Sequence, residues 1–364
     1  MSATITGTVN GTPELPRLRR AGKSWQLLVD GKPFLILGGE LQNSSMSSAH
    51  YMDTAWQNIA KMGVNTILGT VSWEDIEPEE GQFVFTEFDG ALPAAREHGF
   101  RMILVWFGSF KNGMSRYTPS WVKTNPQRFP RMQHRDSNGS IQVSNIISIF
   151  HDECVQADAK AFASLMQHLS ETDAAKTVIM VQVENEVGLL GDSRDRSKRA
   201  NQLFSSPVPM ELVRFLEQGG DSLRPELKSY LAGVASYLKG TAGGGKPGEY
   251  PSGGAVIWVL DIWQRFTPTL HFISPDIYTA DYSKTCSDYC HRDQPLFVPE
   301  QHRNDFGARR IWEAIGLSEI FEAKNPRKAS TKKVIVDLDE IGQVVNIQEV
   351  KKDQGALNLC LFNR

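Results

Sequence analysis

The amino-acid sequence predicts an α/β fold of the (β/α)8 barrel type. Three observations carry that expectation. Apolar, β-branched runs with no charge alternate with segments of helical period, the pattern of a parallel sheet whose strands are buried on both faces. The runs end in polar side chains, as the C-terminal rim of a barrel requires: Glu40, Trp73-Glu74, Glu186, Tyr278 and Glu300. Two of these runs, Thr177–Glu186 and Pro295–Glu300, each deliver a Glu at the last position. A doubly wound sheet would gather its polar groups at one switch point instead.

Taken in order, residues 1–23 are polar and rich in Thr, Pro and Arg, and read as a loose N-terminal arm. Residues 25–33 read as a hairpin turning at Asp30-Gly31 that plugs the barrel floor. Phe34–Glu40, Asn65–Trp73, Arg101–Gly108 and Thr177–Glu186 are expected as the first four strands, with helices over 51–62, 88–98 and 155–170 between them. In the last helix Phe162, Leu165, Met166 and Leu169 share one face. Residues 109–153 form a long polar connection, a length that in a compact domain is usually functional. Helices are expected over 210–218, 223–239, 255–266 and 306–323, and further strands over 271–278 and 295–300. Residues 240–254 are a Gly/Pro-rich loop and 325–364 an atypical Lys/Asp-rich tail. The catalytic domain is placed at 24–324. Neither a fifth nor an eighth strand is evident, so the barrel is expected to be incomplete.

The 364 residues carry a net charge of −3, a hydrophobic share of 40% and a charged share of 22%, the profile of a globular protein with no field that recruits nucleic acid. No apolar run approaches the ~18 residues of a membrane span. The N-terminal segment has no hydrophobic core of a signal peptide, so a cytoplasmic location is the default expectation. Four cysteines cannot frame the fold; Cys286 and Cys290 are close enough in sequence to pair or to stay free. Gly240–Lys246 has phosphate-loop spacing, but Pro247 replaces the Ser/Thr that the motif needs and no strand precedes it. The charged run Arg194–Arg199 reads as a solvated loop near the cleft.

Two carboxyls on apposed strand ends are the equipment of a glycosidase: one donates a proton, the other attacks. Glu186 is assigned as acid/base and Glu300 as nucleophile. Glu184 is expected to lie deeper than Glu186 and to pair with a buried Arg or Lys.

Several ordered motifs strengthen this. Gly38-Gly-Glu-Leu-Gln-Asn, Trp73-Glu-Asp-Ile-Glu-Pro, Trp106-Phe-Gly-Ser-Phe-Lys-Asn-Gly113, Val181-Gln-Val-Glu-Asn-Glu186, Ser274-Pro-Asp-Ile-Tyr278 and Val298-Pro-Glu300 together resemble family 35 of the glycoside hydrolases, the retaining β-galactosidases of a (β/α)8 clan. The resemblance implies removal of terminal β-D-galactose, with a plant cell-wall xyloglucan-type polymer as one carbohydrate substrate, and no cofactor or metal. It assigns Asn185 to the sugar 2-hydroxyl, Tyr278 to orienting Glu300, and Glu40, Trp73, Glu74, Lys111 and Asn112 to the galactose pocket. Trp106 or Trp121 is a candidate platform for a sugar face. The same two glutamates would serve a β-mannoside or β-glucoside, and a barrel short of staves would be a catalytically impaired galactoside binder.

Overall fold

The computed structural model describes residues 13–22, 24–114, 116–225, 227–228, 248–279, 281–302, 304, 306–307 and 310, and the backbone of 333–338 and 344–350. The polypeptide opens with an antiparallel sheet of β1 (Arg17–Ala21), β2 (Ser24–Val29) and β3 (Lys32–Pro33). Part of the expected loose arm is therefore strand: Arg17 pairs with Leu28 and Ala21 with Ser24. The turn between β2 and β3 is Asp30-Gly31, both with positive φ (51° and 72°), as a tight hairpin demands.

Strands β4 (Gly38–Glu40), β5 (Thr66–Ser72), β6 (Arg101–Phe107) and β9 (Val178–Gln182) then form one parallel sheet in that order. Helices α1 (Ala49–Lys61), α3 (Thr86–Glu97) and α5 (Asp152–Thr172) fill the crossovers, and the short helix α2 (Trp73–Ile76) follows β5. This is the strand–helix alternation of an incomplete (β/α)8 barrel. Every residue of β5 is buried, which explains its unbroken TILGTVS apolar character. Alternate side chains serve two cores. Ile67, Val71, Met102, Leu104 and Trp106 pack outward with Met52, Trp56, Phe88 and Leu165 of the helices. Leu68, Ile103 and Ile179 point inward, where Val29 of the hairpin closes the floor. Each such aliphatic side chain contributes about 1.5–3 kcal/mol when fully buried. Helix α1 starts where Ser48 Oγ accepts from Tyr51 N at 3.2 Å.

The long connection after β6 is ordered. It holds α4 (Ser120–Lys123) and an antiparallel hairpin of β7 (Arg131–Arg135) and β8 (Ile141–Ile147). The charged run near the cleft is bound to that hairpin through Asp195 and Arg196, while Lys198 and Arg199 are exposed. Asp195 accepts from Gln133 N at 2.9 Å and Ser148 Oγ at 3.0 Å, and Arg196 N donates to Gln133 O at 2.7 Å. Arg196 also grips Asp192 with two nitrogens, at 2.8 and 2.6 Å. Helices α6 (Lys198–Phe204) and α7 (Met210–Gly219) follow.

The second half differs from expectation. Residues 271–278 and 295–300 are extended but form no ladder; a single parallel bridge joins Ile277 to Gln301. A strand is defined by a ladder of hydrogen bonds, and beyond this one bridge no described strand pairs with either segment. Their apolar side chains are satisfied by a separate cluster: Leu260 of α8 (Leu260–Phe266), Ile277, Leu296, and Tyr282, Cys286 and Tyr289 of α9 (Tyr282–Tyr289). No fifth strand occurs among the described residues after β9. The expected helices over 229–239 and 311–323, the loop residues 240–247 and the position of an eighth strand lie outside the described residues. In the tail, β10 (Lys333–Leu338) and β11 (Val344–Val350) pair antiparallel. Cys154 and Cys286 are buried and Cys290 is half-buried. Among the described residues no helix is long and apolar enough to cross a membrane.

Candidate active site

The C-terminal end of β6 builds one wall. After Phe107 the chain turns through Gly108–Phe110 and presents Lys111, which is buried and donates from Nζ to Asn185 Oδ1 at 2.8 Å. The ammonium also sits 4.9 Å from the centre of the Phe107 ring. Asn112 adopts φ +53°, and its Oδ1 is buried with no hydrogen-bond partner among the described residues. Gly113 N donates to Glu186 O at 3.1 Å and ties this loop to the next strand end.

Beyond β9 the backbone leaves strand geometry. Glu184 and Glu186 both take positive φ, 63° and 46°. Such a conformation costs a non-glycine residue on the order of 1–3 kcal/mol and persists only where surroundings impose it. The strand alternation that was expected to aim Glu184 and Glu186 alike therefore does not apply here. Among the described residues no Arg or Lys pairs with Glu184 either. Its carboxyl accepts from Ser109 N at 2.9 Å, Phe110 N at 2.8 Å and Gly108 N at 3.3 Å. Burial, and then the neighbouring Asp158, hold its pKa well above the usual carboxylate range.

Glu300 arrives from the opposite side of the fold and is 4% exposed. Tyr278 donates its hydroxyl to Glu300 Oε2 at 2.7 Å, and Asn185 Nδ2 donates to Oε1 at 3.3 Å. The backbone supports this pairing, because Ile277 N donates to Glu300 O at 2.9 Å. Lys111, Asn185, Glu300 and Tyr278 thus form one hydrogen-bonded chain across four segments of the sequence.

Asp276 completes the cluster and was not singled out from the sequence. Its pKa is pushed well up by burial first, then by Glu300, Glu186 and Glu40, with Lys111 opposing. Those influences place Glu40 from β4, Glu186 and Glu300 around one point. The available signal was spacing: Asp276 precedes Tyr278 by two residues on an extended segment, so both face the same side. A cavity of about 620 Å³ runs from the floor hairpin, past Ile103, Ile179 and Phe297, to Glu186, Asp276 and Tyr278, and Lys111, Asn185 and Glu300 are not part of its lining.

Two expected pocket residues stand elsewhere. Trp73 is 0% exposed and its indole N–H donates to the buried Glu77 Oε2 at 2.9 Å, so its edge and faces belong to the core. The reason is local: β5 ends one residue earlier and the chain turns into α2, which rotates Trp73 under Trp121. Glu74 pairs with Lys123 Nζ at 2.7 Å, both side chains being more than a third exposed. Neither tryptophan proposed as a platform is free to serve as one. Trp106 is fully buried with its N–H on Asp158 Oδ1 at 3.0 Å, and Trp121 donates to Glu77 O while packing on Trp73 and Phe129.

Comparison with known proteins bears on this arrangement. Residues 44–218 match the family 42 glycoside hydrolase profile, described as β-galactosidase. The resemblance is to the β-galactosidase-type glycoside hydrolases, in family 42 and not family 35. A β-galactosidase from Xanthomonas manihotis is 23% identical over 240 residues, which are 63% of this chain and 38% of that protein. The chain thus spans under two fifths of that relative's length. Among solved structures, a catalytic mutant of Gan42B, a family 42 β-galactosidase from G. stearothermophilus, aligns with a TM-score of 0.43 at 13% identity, covering 74% of this chain and 46% of that one. The exo-β-1,4-mannosidase Op5Man5 from Opitutaceae bacterium strain TAV5 aligns with a TM-score of 0.32 at 19% identity, covering 43% and 26%.

Proposed function

We propose that this chain is a retaining glycosidase that removes terminal β-D-galactose through a covalent glycosyl-enzyme. One observation carries the reading: the Tyr278 hydroxyl and the Asn185 amide both donate to Glu300, in a cluster that includes Glu186. The two bonds fix where its oxygens point. Glu300 attacks the anomeric carbon while Glu186 protonates the departing oxygen. Glu186 then takes a proton from water, whose oxygen bonds to the anomeric carbon as the bond to Glu300 breaks, and the sugar leaves with its configuration kept.

The other residues supply binding. Asn185 has its carbonyl taken by Lys111 and turns its amide toward Glu300 and the sugar 2-hydroxyl. The unpartnered Asn112 Oδ1 supports a role as acceptor for a sugar hydroxyl, and Glu40 faces the same cluster. Trp73 and Glu74 act at one remove, through α2. A xyloglucan-type polymer remains within the substrate class this reading proposes.

The test is incubation with an aryl β-D-galactoside and with a 2-fluoro-galactoside trap. Turnover and a covalent adduct on Glu300 support the reading; folded protein that gives neither rejects it. A panel with aryl β-mannoside and β-glucoside decides the sugar. A second reading, a galactoside binder without turnover, draws on the second half, where Glu300 rests on one bridge in place of a ladder. It expects galactose to protect the fold against heat without any hydrolysis.

A further inference from the structure

Behind the Asn185 segment lies a second carboxyl pair that glycoside chemistry does not use. Asp158 projects from α5 and Glu184 from the turn after β9. Asp158 Oδ1 accepts from Trp106 Nε1 at 3.0 Å, and Oδ2 accepts from Ser109 N at 2.8 Å and from Ser109 Oγ. Glu184 accepts from the N–H groups of residues 108, 109 and 110, so the Ser109 N–H is shared between both acids. The two carboxyls therefore lie side by side around one N–H, and two buried carboxylates so placed repel one another unless one of them holds a proton. Burial and Asp158 push the Glu184 pKa up while the N–H groups of Phe110 and Ser109 oppose them, with no cation among these leading influences. The nearest charges along the same segments are Glu186, which leads into the cluster, and Lys111, whose ammonium is engaged by Asn185.

The space is closed as well. A Cβ on Gly108 would fall 2.3 Å from Asp158 Oδ1, 2.4 Å from Trp106 Nε1 and 2.6 Å from Glu184 Oε1. Only glycine lets the turn lie against both acids.

We propose that Glu184 keeps its proton and donates it to Asp158, and that this shared proton latches the Gly108–Phe110 turn and so sets Lys111 against Asn185. Glu184 is a positioning residue: it reaches Glu300 only through Lys111 and Asn185. Its raised pKa gives the sign of the pH effect. A carboxyl that holds its proton more tightly when folded makes stability fall as pH climbs above its unfolded value of about 4.3. The loss continues until the folded-state value is passed.

The experiment needs no substrate, so its failure is distinct from failure of the glycosidase reading. Infrared difference spectra of the full chain at neutral pH compare parent with Glu184→Gln, whose amide can donate to Asp158 without a proton. A protonated-carboxyl C=O band is expected in the parent and lost in the variant; the band of any other neutral acid cancels. On raising pH, the parent loses that band together with exchange protection of the Ser109 and Phe110 amides, while the variant keeps the protection. Asp158→Asn gives the same loss of band and serves if the first variant does not fold. A parent spectrum identical to those of the variants in this region overturns the proposal, as does protection that falls equally in parent and variant.

Discussion

Strands β4, β5, β6 and β9 are joined by continuous parallel ladders, whereas residues 271–302 bring Asp276, Tyr278 and Glu300 to the same place on one backbone bridge. The first half presents Lys111, Asn185 and Glu186 from ladder ends braced by a two-sided core. Of the hydrogen bonds at the site only Asn185 to Glu300 crosses between the halves, Tyr278 to Glu300 being internal to the second; away from the site Trp25 Nε1 donates to Asp293 O at 2.6 Å and Phe297 packs on the floor cluster. Position on the ladder side is therefore set by packing. On the other side it rests in part on polar contacts that are also the proposed chemistry. Such a site should lose function before it loses stability when its second half is altered, and the reverse when its first half is.

The strongest way to break that contrast is Glu300→Gln. Turnover of an aryl β-galactoside should drop by about 10⁴-fold or more, the scale of removing a covalent nucleophile, with the thermal midpoint little changed. Tyr278→Phe removes one hydrogen bond to a charged group, worth about 1.5–3 kcal/mol. That corresponds to about 10- to 150-fold in kcat, measured on protein whose circular dichroism matches the parent. Gly108→Ala tests the ladder side. Its Cβ would meet three atoms within 2.6 Å, and overpacking of this kind costs about 1–3 kcal/mol, read as a lower midpoint in denaturant.

Two smaller effects sharpen the picture. The Asp192 pKa is driven down by its hydrogen bond to Arg196, against burial and with help from Arg135 N and Ser193 N. A depressed carboxylate stabilises the fold above its unfolded value of about 3.9, and that contribution is lost as pH falls below it. Thermal melts at pH 6 and pH 3 should show a larger acid loss for the parent than for Asp192→Asn. Glu74→Ala should change stability by less than about 1 kcal/mol, because its partner Lys123 is similarly exposed. An unchanged KM for the aryl galactoside would then confine Glu74 to that ion pair, and a raised KM would return it to the sugar.

Part of the candidate site was legible in the sequence. An uncharged run that stops at a Glu singled out Glu40, Glu186 and Glu300, although only Glu40 ends a strand: Glu186 lies four residues past β9 and Glu300 follows no ladder. Asn185 and Tyr278 came from motifs and are joined to Glu300 in the fold. Trp73 was misplaced because one residue beyond β5 the chain becomes helix, and strand-end logic no longer holds there. The hairpin β7–β8 was passed over because its strands are largely polar, Arg131-Met-Gln-His-Arg and Ile141-Gln-Val-Ser-Asn, and alternation is weak.

The sequence by itself determined the strand–helix alternation, the inner and outer apolar faces and which apolar runs end in acid groups, since these follow from local periodicity and burial. Only the tertiary structure decided the partners. It put Asp276 among three other carboxyls, gave Glu184 an acid and three N–H groups in place of a cation, and turned two tryptophans into core. Charge proximity and shared hydrogen bonds depend on how distant segments cross, and no local pattern encodes that distance.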